Sequence, residues 1–291
     1  MTKNLSKTTI DPIFGKPSHL YAKLSAATYY IEPETVTIFQ RENPTVEDME
    51  DYLSEQYATG SYKAYSALRP LKIETGNRRL KRIMKYGVNV GSCADVGCAT
   101  GAFMESAQNF GFEVKGFELS ESAINLAPEG IREKIIKADI NSYLESSSEK
   151  YDLVTAYDIL EHVQDPKAFL RGLMGLLNPG GVIAIATPDT EHFLRKLLGR
   201  SWPMLQPMQH TFLFGRAGLS RLMQDVGFAD VRAEAAEKVL TLEYLFDQVA
   251  EPSPLLGGVL QKFGRVLPRS IKSRPMGLNL SEMFVTARRP K

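Results

Sequence analysis

Asp158, Glu161 and His162 stand at i, i+3 and i+4, a spacing that on a helical turn gathers two carboxylates and an imidazole on one face. Such a face suits a hard cation such as Mg²⁺, and it equally suits capping of a helix start by acids. His162 also reads as a base that works near neutral pH. It follows the strand-like run YDLVTAYD, at the sheet edge where ligands gather in open α/β folds. His210, in WPMLQPMQHTFLF, is the second base candidate, in a stretch that reads either as plain core or as pocket lining. His192 follows a later strand at the same edge, and His19 reads as structural.

A second cluster of chemistry lies at residues 94–103, ADVGCATGAF. A glycine-rich turn between a strand and a helix exposes unpaired backbone N–H groups, and its small residues let a ligand approach the backbone. A dinucleotide loop needs G-x-G-x-x-G, and positions 97, 99 and 102 are Gly, Ala and Ala. Glu118 closes the next strand, where a carboxylate can accept both hydroxyls of a ribose. Asp139 follows the strand after that, either as a ligand contact or as the N-cap of a short helix.

These residues need a scaffold, and the rhythm from residue 91 supplies one. SCADVG, EVKGFEL, KIIKAD, YDLVTAYD and GVIAIATP read as short apolar strands, with helical patterns at 101–110, 121–128, 141–146 and 160–177 between them. The run Asn178-Pro179-Gly180-Gly181 reads as a helix stop. Alternation of this kind predicts a mostly parallel sheet with helices on both faces. Upstream, HLYAKLSAATYYIEPETVTIF reads as short strands, NPTVEDMEDYLSEQY as a helix with Thr45 as N-cap, and 64–86 as a helix stopped at Gly87. Downstream, EHFLRKLLG and GRAGLSRLMQDVGF read as helices, FADVRAEAA and EMFVTARR as strands, and 241–266 as helical segments between those strands.

The net charge of +1, from 35 basic and 34 acidic residues, gives no global field for nucleic acid. Residues 261–291 carry eight cations against the single acid Glu282, as a solvated face or as a contact for an anionic partner. The segment PLLGGVLQKFGRVLPRSIKSR mixes apolar and cationic residues in a way that suits weak contact with an anionic membrane surface. Cys93 and Cys98 form neither a disulfide framework nor a zinc spacing, which fits a reducing compartment. With no secretory leader and no membrane-length apolar run, the expectation is a cytoplasmic protein.

Asp95-Val96-Gly97-Cys98-Ala99-Thr100-Gly101 matches acid-x-G-x-G-x-G except at Ala99. With Glu118, Asp139, YDLVTAYDILEHVQDP and LLNPGGVIAIATPD in order, residues 91–190 resemble the core of class I S-adenosylmethionine-dependent methyltransferases, in particular the ubiquinone-biosynthesis O-methyltransferase-like branch. The resemblance implies a seven-stranded Rossmann-like sheet with a reversed last strand, a small N-terminal extension (1–60), a methyltransferase domain (61–291) and a helical insertion before the last strand. It implies that Asp95, Gly97, Cys98, Ala99 and Gly101 wrap the methionine part of the cofactor, that Glu118 and Leu119 hold its ribose, and that Asp139 and Ile140 hold its adenine. Tyr157 and Asp158 complete the cofactor set, Asp158 also standing beside the bases His162 and His210. An alanine at 99 is expected to take a negative φ. Some relatives hold a metal at positions matching Asp158, Glu161 and His162; no zinc is expected, since the N-terminal cysteine pairs of some members are missing. The acceptor is expected to be a hydroxyl on a small-molecule, sugar or lipid-linked compound. The alternatives are a nicotinamide-dependent oxidoreductase or epimerase and a non-catalytic binding subunit.

Overall fold

The computed structural model describes residues 7–42, 68–207, 209–245 and 268–291. Its centre is a seven-stranded sheet built from β5 (Ser92–Val96), β6 (Glu113–Glu118), β7 (Ile135–Lys137), β8 (Tyr151–Tyr157), β9 (Leu177–Pro188), β11 (Ala229–Ala235) and β14 (Glu282–Arg288), in the order β11-β14-β9-β8-β5-β6-β7. β14 runs antiparallel to both β9 and β11, and β9, β8, β5, β6 and β7 pair in parallel. The central strands are apolar along nearly their whole length because helices cover both faces.

One face is covered by α1 (Arg69–Lys85) and α2 (Ala102–Asn109), whose Leu80, Ile83, Phe103, Met104 and Ala107 pack on Cys93, Leu153, Ala184 and Phe284. Pro70 sits in the first turn of α1, where its missing N–H costs nothing. The helix ends at Lys85, before Gly87, as its sequence suggests; the expected start at 64 and the whole Thr45 helix lie outside the described residues. The other face is covered by α5 (Ile140–Ser146), α6 (Pro166–Leu176) and α8 (Arg216–Val226), with Leu170, Leu173, Leu176, Leu219, Leu222 and Met223 packed on Val154, Ile183 and Val285.

One local expectation changes. The helix expected over 160–177 is a 3-10 turn at Leu160–His162, then an extended break, then α6. Pro166 disfavours helix in the residue before it, and Asp165 caps the new start by accepting from Ala168 N at 2.9 Å. The Asn178–Gly181 run follows the end of α6 at Leu176, in keeping with its reading as a helix stop, and forms a bulge inside β9, between the pairs Tyr151–Leu177 and Leu153–Val182.

A second sheet joins β1 (Thr8–Ile10), β2 (Pro17–Lys23), β3 (Thr28–Glu32), β4 (Thr37–Gln40) and β10 (Phe212–Leu213). β10 comes from the segment after β9, so N-terminal strands and a downstream strand share one sheet, its Tyr29, Ile38 and Leu213 packed with Trp202. A two-stranded sheet pairs β12 (Lys238–Leu240) with β13 (Met276–Leu278) and docks on α1, where Val239 N donates to Thr75 Oγ1 at 2.9 Å. Residues 242–245 are helical, as expected, and the rest of the helical segments expected at 241–266, with most of the basic apolar segment, lies outside the described residues. No helix among the described residues is long and apolar enough to cross a membrane.

Candidate active site

β5 delivers the small-residue loop. Gly97, Ala99 and Gly101 have φ of +69°, +48° and +71°, a left-handed run that only glycine adopts freely. Ala99 therefore departs from the expected negative φ. Its N–H donates to Glu118 Oε2 at 2.9 Å, which ties the loop to the end of β6 and offsets the strain of a Cβ in that region. A Cβ on Gly97 would run into the Ile159 side chain, so the close approach of the loop to the end of β8 requires glycine there. From the far side, Arg69 of α1 donates to Thr100 O at 2.8 Å and pairs with Glu105 at 2.6 Å.

Glu118 accepts three backbone N–H groups, from Ala99, Leu119 and Ser120, each at 2.9 Å. One lone-pair site of its carboxylate stays free for a ligand hydroxyl. Asp139 accepts from Ser142 N at 3.2 Å and so caps α5, the structural role its position allowed. Leu119 is half exposed beside Glu118, whereas Ile140 is buried in the core. Asp95 is buried and accepts from Thr155 Oγ1 at 2.6 Å. Burial pushes its carboxyl up to about 7, against the Thr155 bond and the pull of Arg79. The Cys98 thiol is buried, and burial raises it well above the ordinary thiol range. The Tyr157 ring packs edge-on against Phe103 at 4.9 Å under the Arg79 guanidinium at 4.4 Å, so its side chain serves the core while its backbone ends β8.

Asp158, Glu161 and His162 do not share a helical face. Asp158 has φ +58°, and only the residues from Leu160 onward form the 3-10 turn. The Asp158 carboxylate consequently parts from the other two, which stay close together. The Asp158 carboxylate meets Lys238 Nζ at 3.2 Å. Glu161, 2% exposed, accepts from Thr187 Oγ1 at 2.9 Å. His162 Nδ1 bonds Gln209 O at 3.0 Å.

His210 is brought in from the segment before β10. Its Nδ1 bonds Met204 O at 2.8 Å, and its ring lies edge-to-face with His162, centroids 4.9 Å apart. A carbonyl only accepts, so both Nδ1 atoms carry the proton and both Nε2 atoms keep a lone pair. Burial lowers both imidazoles below the ordinary value, His210 down to about 3 with His162 adding to the effect. Burial, with the Asp158 charge behind it, pushes Glu161 up to about 8. Ligand atoms of Glu161, His162 and His210 lie within 4.8 Å of one another, so the donor set a metal would use excludes Asp158 and includes His210. His192 caps α7 (Phe193–Leu198) by accepting from Leu194 N, and His19 is exposed on β2.

The sequence reading missed the cations. Lys238 on β12, Arg79 on α1 and Glu282 at the start of β14 form a charged group against Asp158. Burial would raise the Asp158 carboxyl, but Lys238 and Arg79 overcome it and hold Asp158 ionised. Glu282 is pushed up by burial, with the Asp158 charge adding to it, against the pull of Lys238 and Arg79. Lys72 of α1 is lowered to about 7 by burial, against the attraction of Asp158. Nothing in NRRLKR or AEKVLTLE separates these cations from solvated ones.

The family model described as a methyltransferase domain matches residues 67–233. This chain belongs to that methyltransferase family. A ubiquinone biosynthesis O-methyltransferase of Serratia proteamaculans is 27% identical over 159 residues, covering 52% of this chain and 64% of that protein. The enzyme of the same name from Xanthomonas axonopodis pv. citri is 32% identical over 135 residues, covering 45% of this chain and 54% of that protein. The chain thus spans under two thirds of the length of these two relatives. A solved structure from Thermotoga maritima, described as a SAM-dependent methyltransferase and possible histamine N-methyltransferase, aligns with TM-score 0.51 at 17% identity over 84% of this chain and all of that one. That likeness speaks to the fold. The cofactor of the methyltransferase family is S-adenosylmethionine, and the left-handed loop with the Glu118 carboxylate fits it. Nothing in the fold or the relatives favours the nicotinamide-dependent alternative.

Proposed function

We propose that the methyltransferase moves the methyl group of S-adenosylmethionine to a hydroxyl of a small-molecule, sugar or lipid-linked acceptor. When bound, the cofactor supplies the methyl carbon, to which an acceptor oxygen forms its bond as the C–S electron pair returns to sulfur. The Gly97–Gly101 loop and Glu118 would hold the cofactor, with Asp158 as a further contact to it. His162 takes the acceptor proton at Nε2, with Nδ1 held by Gln209 O in the tautomer this needs. His210, whose ring meets that of His162, orients the acceptor.

The observation that carries this reading is the pair of neutral imidazoles that feel the Asp158 charge, at the edge where the loop also ends. A base is needed for a hydroxyl acceptor far more than for a neutral amine, which supports oxygen as the target atom. The N-terminal strands are proposed to shape the acceptor side. They share their sheet with β10, and Thr211 N, next to β10, donates to Glu161 O at 2.8 Å. The test is methyl transfer from labelled S-adenosylmethionine to a panel of phenols, sugars and lipid-linked hydroxyls, with matched amines. Turnover confined to amines, or stabilisation by NAD in place of the demethylated cofactor, overturns it.

A further inference from the structure

Lys238 belongs to no motif, yet it reaches the turning point of the site. Its strand, β12, lies outside the seven-stranded sheet and is fixed twice: by antiparallel pairing of Lys238, Val239 and Leu240 with Leu278, Gly277 and Met276, and by the bond from Val239 N to Thr75 on α1. From that mount the ammonium sits 3.3 Å from Oδ1 and 3.2 Å from Oδ2 of Asp158, and it also donates to Glu282 Oε1. Arg79 stands 3.6 Å from the other oxygen of Glu282, supplying that carboxylate with a second cation.

Asp158 needs such a partner. A non-glycine residue with φ +58° is strained and persists only where its surroundings hold it. Its backbone is held by Asp158 N donating to Ala186 O at 2.9 Å; its carboxylate has Lys238 alone as a hydrogen-bond partner among the described residues. The side chain is still 43% exposed, a rim residue whose two oxygens both meet the Lys238 ammonium, with Arg79 and Lys72 adding attraction without a hydrogen bond to it.

We propose that Lys238 is the positioning residue that fixes the Asp158 carboxylate for the cofactor, which makes the β12–β13 pair a working part of the site. This rests on the reading that Asp158 faces the cofactor. Glu282 and Arg79 support it from behind: Glu282 fixes the ammonium from the far side, and Arg79 shares the Glu282 charge, so that Lys238 stays available to Asp158. The pairing also leaves Asp158 no role as a proton acceptor, in keeping with His162 as base.

The test uses the full chain and calorimetric titration with S-adenosylhomocysteine, well below the melting temperature of every variant. Lys238→Met is expected to weaken binding roughly ten- to a hundredfold, the size of a lost charge-assisted hydrogen bond, while the acceptor KM stays unchanged. Lys238→Arg restores most of the affinity, since a guanidinium can grip the same carboxylate. The double variant Lys238→Met/Asp158→Asn is no worse than Asp158→Asn alone, because both act through one contact. If Lys238→Met does not fold, Lys238→Gln takes its place in the cycle. Wild-type affinity in Asp158→Asn overturns the reading of Asp158. Impaired Asp158→Asn beside wild-type affinity in Lys238→Met, or effects of the two that simply add, overturns the inference about Lys238 alone.

Discussion

The rings of His162 and His210 meet edge to face with centroids 4.9 Å apart, each anchored through Nδ1 to a backbone carbonyl. Two buried imidazoles this close cannot both take a proton cheaply, and His162 lowers the basicity of His210 on top of the effect of burial. The pair is thereby kept neutral, the form in which a base can act.

A pH profile checks this directly. The His162 imidazole must be neutral, and its folded value lies below the ordinary 6.5 because burial outweighs the Gln209 bond and the Asp158 charge. Turnover is therefore expected to hold on the acid side past pH 6.5 and to fall only as the depressed value is crossed. His162→Ala should lower kcat by about 10²- to 10⁴-fold and leave the affinity for S-adenosylhomocysteine unchanged. An acid limb centred at or above 6.5 argues against His162 as the base.

Ala99 gives a second prediction, sharpened by its φ of +48°. Ala99→Gly removes roughly 1–2 kcal/mol of left-handed strain and should bind S-adenosylmethionine at least as well as the native chain. Ala99→Leu keeps the strain and adds bulk where backbone and ligand meet. Titration of the Leu variant should show no binding; tolerance of Leu would mean that the loop does not cradle the cofactor.

Glu118 has two duties, accepting three loop N–H groups and offering one free lone pair. Glu118→Gln, an isostere with one acceptor oxygen, leaves at least one loop N–H facing an amide NH₂. The expected result is a lower melting temperature together with weaker S-adenosylhomocysteine binding, each corrected by Glu118→Asp only if the shorter reach suffices. A Gln variant with native melting and binding would show that Glu118 organises neither loop nor ligand.

Glu161 gives a stability test with a definite sign. Its folded value, up to about 8, lies above that of the unfolded chain, so the native state holds a proton there that the unfolded state loses. Its contribution to stability is present at low pH and is lost as pH rises from about 4.3 toward 8. Glu161→Gln imitates the protonated form and should gain in melting temperature on the native chain between pH 5 and 8. A difference that does not change with pH, or that shrinks as pH rises, would place Glu161 in the ionised state throughout.

Much of the scaffold is legible along the chain. The five strands from Ser92 to Pro188, the helices between them and the two late strands follow from apolar period and from Pro and Gly punctuation, because each depends on neighbours a few residues away. The cofactor loop is legible for the same reason, since Gly97, Gly101 and Glu118 act through local backbone geometry. The outcome differs wherever a side chain takes its partner from far along the chain. Asp158, Glu161 and His162 look like one helical face, yet the left-handed Asp158 turns its carboxylate to Lys238 while Glu161 and His162 stay together and are joined by His210. Ala99 takes a positive φ because Glu118 and the end of β8 confine its loop. Lys238 comes to Asp158 across 80 residues, carried by a strand that is stable only when paired with β13 and docked on α1. Sequence order alone determined the sheet and its loop; the meeting of His162 with His210 and of Asp158 with Lys238 was decided by packing, since their attraction acts only at the short distances the folded chain creates.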